Sequence, residues 1–336
     1  MKEPQLDKYL TPYKWGKPIL AGSGVSGAFD SHSVDCPFVF RHNDQFYMMY
    51  IGFDGLGYQT ALACSDDLLH WKHAAVILKR EEQSSRWDHI GSAGNWILKE
   101  SDNLFDIPVL KKVNGRYWMV YHSYPGFGYE SGPAEIGLAW CEDESLLQWN
   151  KLEHPVFSWK DGEDWERGGL YKACLIEHEK SYYLFYNAKD NIQGQWSEQT
   201  GAAVSTDLMN WQRLKNNPIL SVSPGRWDSF FVSDPFIAQD NGYWLNFYFG
   251  YDKRHSQQGL AYSTDLVHWN KFEHPIIPHG NTGSLDETHA HKASIIHYDG
   301  VLYHFYCAVR TYCEGDITGG ETNEFRCITL ASSRPL

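Results

Sequence analysis

The sequence predicts an all-β chain that folds as a single five-bladed β-propeller over residues 1–336, with four antiparallel strands in each blade. The first observation is a recurring unit that ends in a turn followed by tryptophan. In each copy an alternating apolar strand leads into Ser or Cys, acidic residues, Leu and Trp, at positions 61–71, 137–149, 202–211 and 259–269. Such hydroxyl and acidic residues are typical of turns that hydrogen-bond their own backbone.

The second observation is an aromatic strand that precedes each of these copies and recurs once more near the end, at 45–52, 116–124, 182–188, 243–250 and 302–309. Turn residues such as VNG and DNG come just before it, which predicts a hairpin with an earlier strand. These first strands are predicted at 35–40, 106–113, 172–178, 234–239 and 292–298. Five units of similar length are typical of a propeller, whereas a pair of β-sandwiches would not need such a repeat.

The third observation concerns the start of the chain. The fifth unit has a third strand at 325–333 and no fourth one after it, whereas residues 13–20, YKWGKPIL, resemble the phrase that ends the other units, as in WNKFEHPII at 269–277. We therefore expect residues 13–20 to supply the outer strand of blade five, which would remove an open strand edge.

Composition excludes several classes of function. The net charge of −13 argues against nucleic acid and anionic membranes as partners. No apolar run is long enough to span a membrane, and the first 15 residues lack the apolar core of a signal peptide, so a cytoplasmic location is expected. The seven cysteines include no CxxC pair and predict neither a disulfide framework nor a zinc site. The aromatic content of 15% suits either a β-rich core or sugar-stacking surfaces.

Charged residues recur where the predicted first strands begin, and in a propeller these positions crowd toward the axis. They are Asp35, Asp106, Lys172, Asp234 and Lys292. Converging carboxylates and ammonium groups shift one another's pKa, as acid–base catalysis requires. The alternative is that each aspartate caps a turn between blades.

A second acidic position lies about six residues earlier in four units, at Asp30, Glu166, Asp228 and Glu287, and the pair Trp87–Asp88 is similar. Recurrence favours a structural role, although Glu166 and Glu287 are long enough to stay candidates for proton donors. Trp87, Trp227 and Tyr124 are candidate stacking platforms.

Three histidines, His32, His289 and His291, flank the predicted strand starts. His289 and His291 alternate along a strand and so share one face, where they could hold a metal, bind a hydroxyl or act as an acid. Arg310 follows the second strand of the fifth unit and could reach a substrate oxygen.

The S-x-D-L-x-x-W turns at 205–211 and 263–269, the FDSHSVDCPFVF start and the YWLNFYFG-type strands resemble the five-bladed β-propeller glycosidases of glycoside hydrolase family 43 and its relatives, families 32, 62, 68, 117 and 130. The resemblance implies Asp35 as general base or nucleophile, and an Asp and a Glu on later blades as pKa modulator and proton donor. Lys172 and Asp234 depart from that pattern, since family 43 has Asp and Glu there. A fifth-blade histidine, His291 or His289, would hold a channel cation such as calcium, and no other cofactor is required.

The expected function is a glycoside hydrolase acting on a furanoside or pentoside, such as an arabinofuranoside, xyloside or fructofuranoside. Asp35 would activate water, Asp234 or Glu287 would protonate the leaving oxygen, and Asp106 would tune the pair; the family pattern implies inversion. A histidine acid is the alternative that the family 117 resemblance allows.

Substrate-binding residues are predicted to be His32, Trp87, Asp88, Glu166, Lys172, Trp227, His289, His291, Lys292 and Arg310. A glycoside phosphorylase is an alternative, with Lys172, Lys292 and Arg310 as a phosphate subsite, and a non-catalytic carbohydrate-binding propeller is another. The expected partner is an oligosaccharide or glycoside; the sugar, the linkage and the oligomeric state stay open.

Overall fold

A computed structural model describes residues 3–336, and their regular structure is almost entirely antiparallel β-strand. The helical segments are three short 3₁₀ turns, Leu6–Tyr9, Trp159–Asp161 and Asp164–Glu166. No helix within residues 3–336 is long and apolar enough to cross a membrane.

The strands form three sheets, of 13, 5 and 4 strands, and in chain order their antiparallel pairs can be grouped into five consecutive units. Unit one contains β3 (Ser33–His42), β4 (Gln45–Phe53), β5 (Tyr58–Ser65) and β6 (Lys72–Leu78). Unit two contains β7 (Ala93–Ile97), β8 (Lys112–Val113), β9 (Arg116–Ser123), β10 (Glu135–Cys141) and β11 (Asn150–Lys151). Unit three contains β12 (Gly169–His178), β13 (Ser181–Lys189), β14 (Glu198–Ser205) and β15 (Gln212–Arg213).

Unit four contains β16 (Phe231–Asp240), β17 (Tyr243–Tyr251), β18 (Ser256–Ser263) and β19 (Asn270–Lys271). Unit five contains β20 (His289–Tyr298), β21 (Val301–Thr311) and β22 (Glu324–Ser332), joined by β1 (Tyr13–Lys14) and β2 (Leu20–Ala21) from the start of the chain. Adjacent units touch through short parallel bridges, Glu198 with Phe231 and Ser256 with His289.

The predicted pairing of residues 13–20 with the third strand of the last unit is present. Tyr13 lies opposite Ser332 and Leu20 lies opposite Ile328, both in antiparallel register. Between these pairs the backbone N–H of Trp15 donates to Leu330 O at 2.9 Å and that of Ile19 donates to Ile328 O at 2.7 Å. The edge of β22 is therefore covered by the N-terminal segment.

In units one to four the turn that follows the third strand is held by its own side chains, as the sequence predicted. In unit four, Ser263 Oγ accepts from the N–H of Leu266, and Asp265 Oδ1 accepts from the N–H of His268 at 2.8 Å. The indole N–H of Trp269 then donates to Leu266 O at 3.0 Å. The leucine takes a left-handed φ of 65°, and this turn explains why the S-x-D-L-x-x-W phrase recurs.

A buried acid-tyrosine-cation cluster recurs between the second and fourth strands of four units. In unit four, Asp228 Oδ2 lies 2.6 Å from Lys271 Nζ and accepts from Tyr248 at 3.3 Å. The equivalent acids and cations are Asp88 with Lys151, Glu166 with Arg213, and Asp286 with Lys14. In unit five the acid of this cluster is thus Asp286 and not the predicted Glu287, and its cation, Lys14, comes from the N-terminal strand.

The prediction for the first strand of unit two is wrong. That strand is β7, and the predicted segment 106–113 lies in the long connection between β7 and β9. The apolar residues of the segment misled the prediction because Leu110 is buried there without belonging to a long strand. In unit two the position that corresponds to Lys172 and Asp234 is Asn95, which lies at the register shift of β7 and is fully buried.

Each first strand carries one extra residue opposite its partner, a β-bulge near its beginning. The bulge residues Cys36, Lys172, Asp234 and Lys292 have left-handed φ values of 52°, 30°, 54° and 63°. All four line one central cavity. In unit one the bulge residue that lines the cavity is Cys36 and not Asp35.

Candidate active site

A cavity of about 620 Å³ lies at the edge of the sheets where the first strands begin, the second strands end and the third strands begin. Antiparallel pairing brings these three positions together in each unit: Gly169 pairs with Lys189, and Lys189 pairs with Glu198. The ionisable residues lining the cavity, apart from tyrosine and Cys36, are His122, Glu130, Lys172, Lys189, Glu198, Asp234, Lys253, His289, His291, Lys292, Glu324 and Arg326.

Two glutamates in this cavity share one lysine. Lys189 Nζ lies 2.6 Å from Glu130 Oε2 and 3.9 Å from Glu198 Oε1. Glu130 lies in the loop between β9 and β10, whereas Lys189 ends β13 and Glu198 begins β14. The side chains of Lys189 and Glu198 are buried, and that of Glu130 is 24% exposed.

The surroundings separate the pKa values of the two glutamates. Burial alone would raise the pKa of Glu130, but the ammonium groups of Lys189 and Lys292 lower it to about 2. Burial raises the pKa of Glu198 above its ordinary value; Lys189 opposes this rise without cancelling it, and the Glu130 carboxylate adds to it. A carboxyl group with a lowered pKa beside one with a raised pKa is the arrangement expected of an acid–base pair.

We call the part of the cavity that is lined by the bulge residues Cys36, Lys172, Asp234 and Lys292 its floor. A third acid, Asp234, lies there next to Glu198. Ser233 Oγ donates to Glu198 Oε2 at 2.8 Å and lies 3.4 Å from Asp234 Oδ1. With the amide of Asn187 assigned so that its nitrogen faces acceptors, that nitrogen donates to Asp234 Oδ1 at 3.1 Å. Burial raises the pKa of Asp234 to about 7, although Lys292 and Lys172 oppose the rise.

Asp35 lies below the floor and is enclosed by cations. Its Oδ2 is 2.7 Å from Lys292 Nζ and 2.9 Å from Arg326 Nη1, while its Oδ1 accepts from the N–H of Cys36 at 2.9 Å. Burial alone would raise its pKa, but Lys292 and Arg326 outweigh burial and hold the pKa well below the usual range. Asp35 is ionised and fully bonded, and it is not among the residues that line the cavity.

Aromatic rings form much of the cavity wall. Tyr124 packs between Tyr58 and Tyr171, with ring centroids 5.9 and 5.3 Å away. Tyr129, next to Glu130 in the same loop, is 53% exposed and lies edge-on to Phe53 and Tyr58. Trp196 lies on the other side, where its indole N–H donates to Glu198 Oε1 at 3.0 Å. Rings beside carboxylates are typical of sugar-binding cavities.

Among the predicted catalytic residues, Asp234 lines the cavity, and Asp106 and Glu287 do not. Asp106 is exposed on the connection between β7 and β9, where it accepts from Ser101 Oγ at 2.6 Å. The carboxylate of Glu287 accepts from the backbone N–H groups of Gly283 and Thr311 and so stays in its own loop. The prediction that these two acids meet at the axis is therefore wrong.

Several predicted substrate-binding residues make packing contacts within their own units instead of lining the cavity. Trp87 stacks on Tyr121 and Trp227 on Tyr248, with centroids 5.6 and 5.7 Å apart, so both indoles are used within their units. Asp88 and Glu166 are fully buried members of the acid-tyrosine-cation clusters.

Two more predictions fall outside the cavity lining. Arg310 forms a two-point ion pair with Asp316, at 2.6 and 2.7 Å, which occupies its guanidinium. His32 packs edge-on to Phe53 near Glu321. Lys172, Lys292, His289 and His291 line the cavity, and their role in substrate binding stays a prediction.

The surroundings of His291 do not suit a cation. Its Nδ1 is 3.1 Å from Cys307 O and its Nε2 is 3.2 Å from Arg326 Nη1, so both ring nitrogens are engaged. Burial, with Lys292 and Arg326 close by, lowers its pKa well below the ordinary value. Within residues 3–336 no three His, Cys, Asp or Glu side chains are grouped so as to hold a metal ion. The predicted metal-binding role of His291 is therefore not supported by its contacts.

Sequence reasoning missed Glu130, Lys189, Glu198 and Arg326. A usable signal existed for three of them, because strand ends that pair with a first-strand start lie at the same edge of the sheet. Lys189 ends a second strand, and Glu198 and Arg326 lie at the beginning of third strands. Glu130 gave no such signal, since it lies in a glycine-rich loop whose course depends on contacts such as Gly128 N–H to Leu56 O.

A cavity with paired carboxyl groups and aromatic walls, at one edge of successive antiparallel strand units, is typical of the β-propeller glycosidases. The chain matches the family described as "Glycosyl hydrolases family 32 N-terminal domain" over residues 99–287, more than half of its length. The chain belongs to this family, and it is a glycosidase.

The chain is also similar to individual proteins. A 1,2-beta-oligomannan phosphorylase from Thermoanaerobacter sp. (strain X514) is 27% identical over 126 residues, which cover 35% of this chain and 42% of that relative. The chain thus matches less than half of that relative's length. A solved structure of a BT0996 RGII complex is 28% identical, with a TM-score of 0.82 and coverage of 98% and 94%. Another, named Glycoside hydrolase, is 29% identical, with a TM-score of 0.82 and coverage of 100% and 97%.

Proposed function

We propose that this protein is a five-bladed propeller hydrolase that cleaves a furanoside or pentoside, with Glu130 and Glu198 as its catalytic residues. The observation that carries this proposal is the pair of carboxyl groups bridged by Lys189 in an aromatic cavity. The five consecutive units, and the N-terminal segment paired with β22, support the five-bladed ring. Furanosides and pentosides are the substrates that the resemblance to family 43 implies.

The spacing of the two carboxyl groups favours retention of configuration rather than the inversion expected from the family pattern. Glu130 Oε2 and Glu198 Oε1 lie 2.6 and 3.9 Å from Lys189 Nζ, so the separation of these two oxygens cannot exceed the sum of the two distances. Retaining enzymes hold the groups roughly 5–5.5 Å apart, and inverting enzymes hold them about 6.5–9.5 Å apart. The largest separation that these two oxygens could have equals the lower end of the inverting range.

In the proposed reaction the Glu130 carboxylate attacks the anomeric carbon as the bond to the leaving oxygen breaks. Glu198, whose pKa is raised by burial, gives its proton to that oxygen. The Glu198 carboxylate then takes a proton from water, and the oxygen of that water displaces Glu130 from the sugar. The second step returns both residues to their starting protonation states.

Lys189 and Asp234 act as positioning residues in this scheme. Lys189 stabilises the charge on Glu130, and Asp234 contacts Ser233, whose hydroxyl donates to Glu198. From below the floor Asp35 holds Lys292 and Arg326 in place, instead of the base role predicted from the sequence. The role of proton donor passes to Glu198.

A glycoside phosphorylase is the second candidate. The relative from Thermoanaerobacter is named as a phosphorylase, and several cations line the cavity here. Phosphate would then take the place of water in the second half of the reaction. Dependence of turnover on phosphate distinguishes the two candidates.

The test is a panel of nitrophenyl furanosides and pyranosides assayed with and without phosphate, followed by proton NMR of the product anomer. We expect phosphate-independent release from a furanoside or pentoside with retention. Glu130→Gln should lower kcat by about 10³-fold or more, because it removes the nucleophile. Glu198→Gln should slow substrates with poor leaving groups far more than nitrophenyl substrates.

Glu135→Gln is the matched control. Glu135 begins β10 as Glu198 begins β14, but it bonds to Ser158 and Lys160 outside the cavity lining. It should keep normal turnover. Full activity in Glu130→Gln, or an inverted product, would overturn the proposed roles.

A further inference from the structure

Lys172 is a buried cation in the cavity without a carboxylate partner. It is 6% exposed, and the acceptor that it reaches is the backbone oxygen of Asn95, at a long 3.4 Å. No ion pair within residues 3–336 includes it, whereas the other buried cations of the cavity are paired: Lys189 with Glu130, Lys292 with Asp35, and Arg326 with Asp35. A buried ammonium without a counter-ion is costly, so this nitrogen is a candidate ligand contact.

The charges around Lys172 leave an excess of positive charge. Two cations that line the cavity, Lys292 and Arg326, share the single carboxylate of Asp35 below the floor. Burial raises the pKa of Asp234 to about 7, although the ammonium groups of Lys292 and Lys172 oppose the rise, so this acid of the floor holds its proton up to about pH 7. The floor therefore carries more cations than carboxylates in the absence of a ligand.

Lys172 and Asp234 both belong to the floor and border the same cavity. Lys172 and Asp234 are both bulge residues with left-handed φ, and both line the cavity. Asp234 Oδ2 is buried and has no hydrogen-bond partner among the described residues. A protonated Oδ2 and an ammonium are both donors, and together they complement an oxyanion.

We propose that the floor around Lys172 and Asp234 is an anion subsite, and that the glycoside cleaved by this enzyme carries a carboxylate that binds there. The proposal rests on the proposed function, because it places the carboxylate within the substrate of the same cavity. The shared chemistry is that of an oxyanion, so free inorganic phosphate is the other source that the test must separate.

The test is calorimetric titration of four probes into the intact protein: galacturonate, its methyl ester, galactose and inorganic phosphate. The methyl ester removes the charge from the ligand and leaves the protein unchanged. We expect galacturonate to bind about tenfold or more tightly than galactose or the ester, since a charge-assisted hydrogen bond is worth about 1.5–3 kcal/mol.

Lys172→Met and Lys172→Gln should abolish this preference while leaving the affinity for galactose within about twofold. Lys79→Met, which removes an exposed lysine without an ion pair, should retain it. Thermal melting of each variant checks that it is folded, and the comparison of acid with ester in the unaltered protein stands even if a variant does not fold.

Binding of phosphate that depends on Lys172, with no preference for galacturonate, would keep the anion subsite and overturn the carboxylated substrate. Equal affinity of the unaltered protein for galacturonate and galactose, with no phosphate binding, would overturn the subsite. A preference that survives in both Lys172 variants would overturn it as well. These titrations need no turnover, so they are read separately from Glu130→Gln, whose effect on kcat tests the proposed function.

Discussion

Replacing Lys14 by methionine should destabilise the whole protein, because this residue brings the N-terminal strand into the buried cluster of unit five. Lys14 Nζ lies 2.7 Å from Asp286 Oδ2 and 2.6 Å from Pro278 O. It lies opposite Ala331 on the third strand, just as Lys271 lies opposite Ala261 in unit four. Asp286 is 3% exposed and would keep Tyr306 and Ser284 as donors.

The magnitude follows from the burial of the pair. Removing one partner of a buried ion pair costs about 3–5 kcal/mol, because the other charge stays buried. The side chain of Lys14 is 29% exposed, so water replaces part of its contribution. We therefore expect Lys14→Met to lower the free energy of unfolding by about 1–3 kcal/mol. For a chain of 336 residues this corresponds to a fall in Tm of about 1–4 °C.

Urea unfolding followed by tryptophan fluorescence measures the change. Lys17→Met is the control, since Lys17 lies on the same segment, is exposed, and contacts the Trp15 ring at 5.5 Å without an ion pair. Lys271→Met should destabilise the protein to a similar degree as Lys14→Met. The double variant Lys14→Met with Asp286→Asn should recover part of the loss, because the unpaired charge is gone. If Lys14→Met unfolds at the same urea concentration as Lys17→Met, the N-terminal strand does not hold unit five together as argued.

Two further predictions concern the cavity. The pKa of Asp234 is raised to about 7 in the folded protein, so its contribution to stability is present below the unfolded pKa of about 4 and is lost as pH rises through 7. Asp234→Asn should thus gain stability relative to the unaltered protein between about pH 5 and about pH 8, by at most about 4 kcal/mol, and a difference that stays constant with pH in urea titrations would contradict this. Lys189→Met should lower kcat/KM by about 10²-fold and move the acid limb of its pH profile upward, because the pKa of Glu130 loses the ammonium that lowers it. An acid limb at its original pH would show that Lys189 does not control Glu130.

The strand pattern was predictable because it is encoded locally. Each hairpin and each S-x-D-L-x-x-W turn is stabilised by residues only a few positions apart, as Ser263, Asp265 and Trp269 show. The place of residues 13–20 could also be predicted, since the segment repeats a phrase found elsewhere in the chain. Unit two was the exception, because its short β7 has no polar start and the apolar residues near Leu110 imitate a strand.

The residues of the site were far less predictable. Asp234, Lys172 and Lys292 were predicted from their repeated position, and the bulges do turn them into the cavity. In unit one, however, the same bulge turns Cys36 inward and leaves Asp35 below the floor. A shift of one residue reverses the direction of a side chain in a strand, and sequence spacing does not resolve such a shift.

The sequence by itself determined the repeating strands, their turns and the strand that covers the end of the sheet, because these depend on neighbours in the chain or on a repeated phrase. Only the tertiary structure decided which carboxyl groups meet. Glu130 comes from a loop of unit two, while Lys189 and Glu198 come from unit three. Their pKa values depend on burial and on charges from several units, and this convergence exists only after the units have packed together.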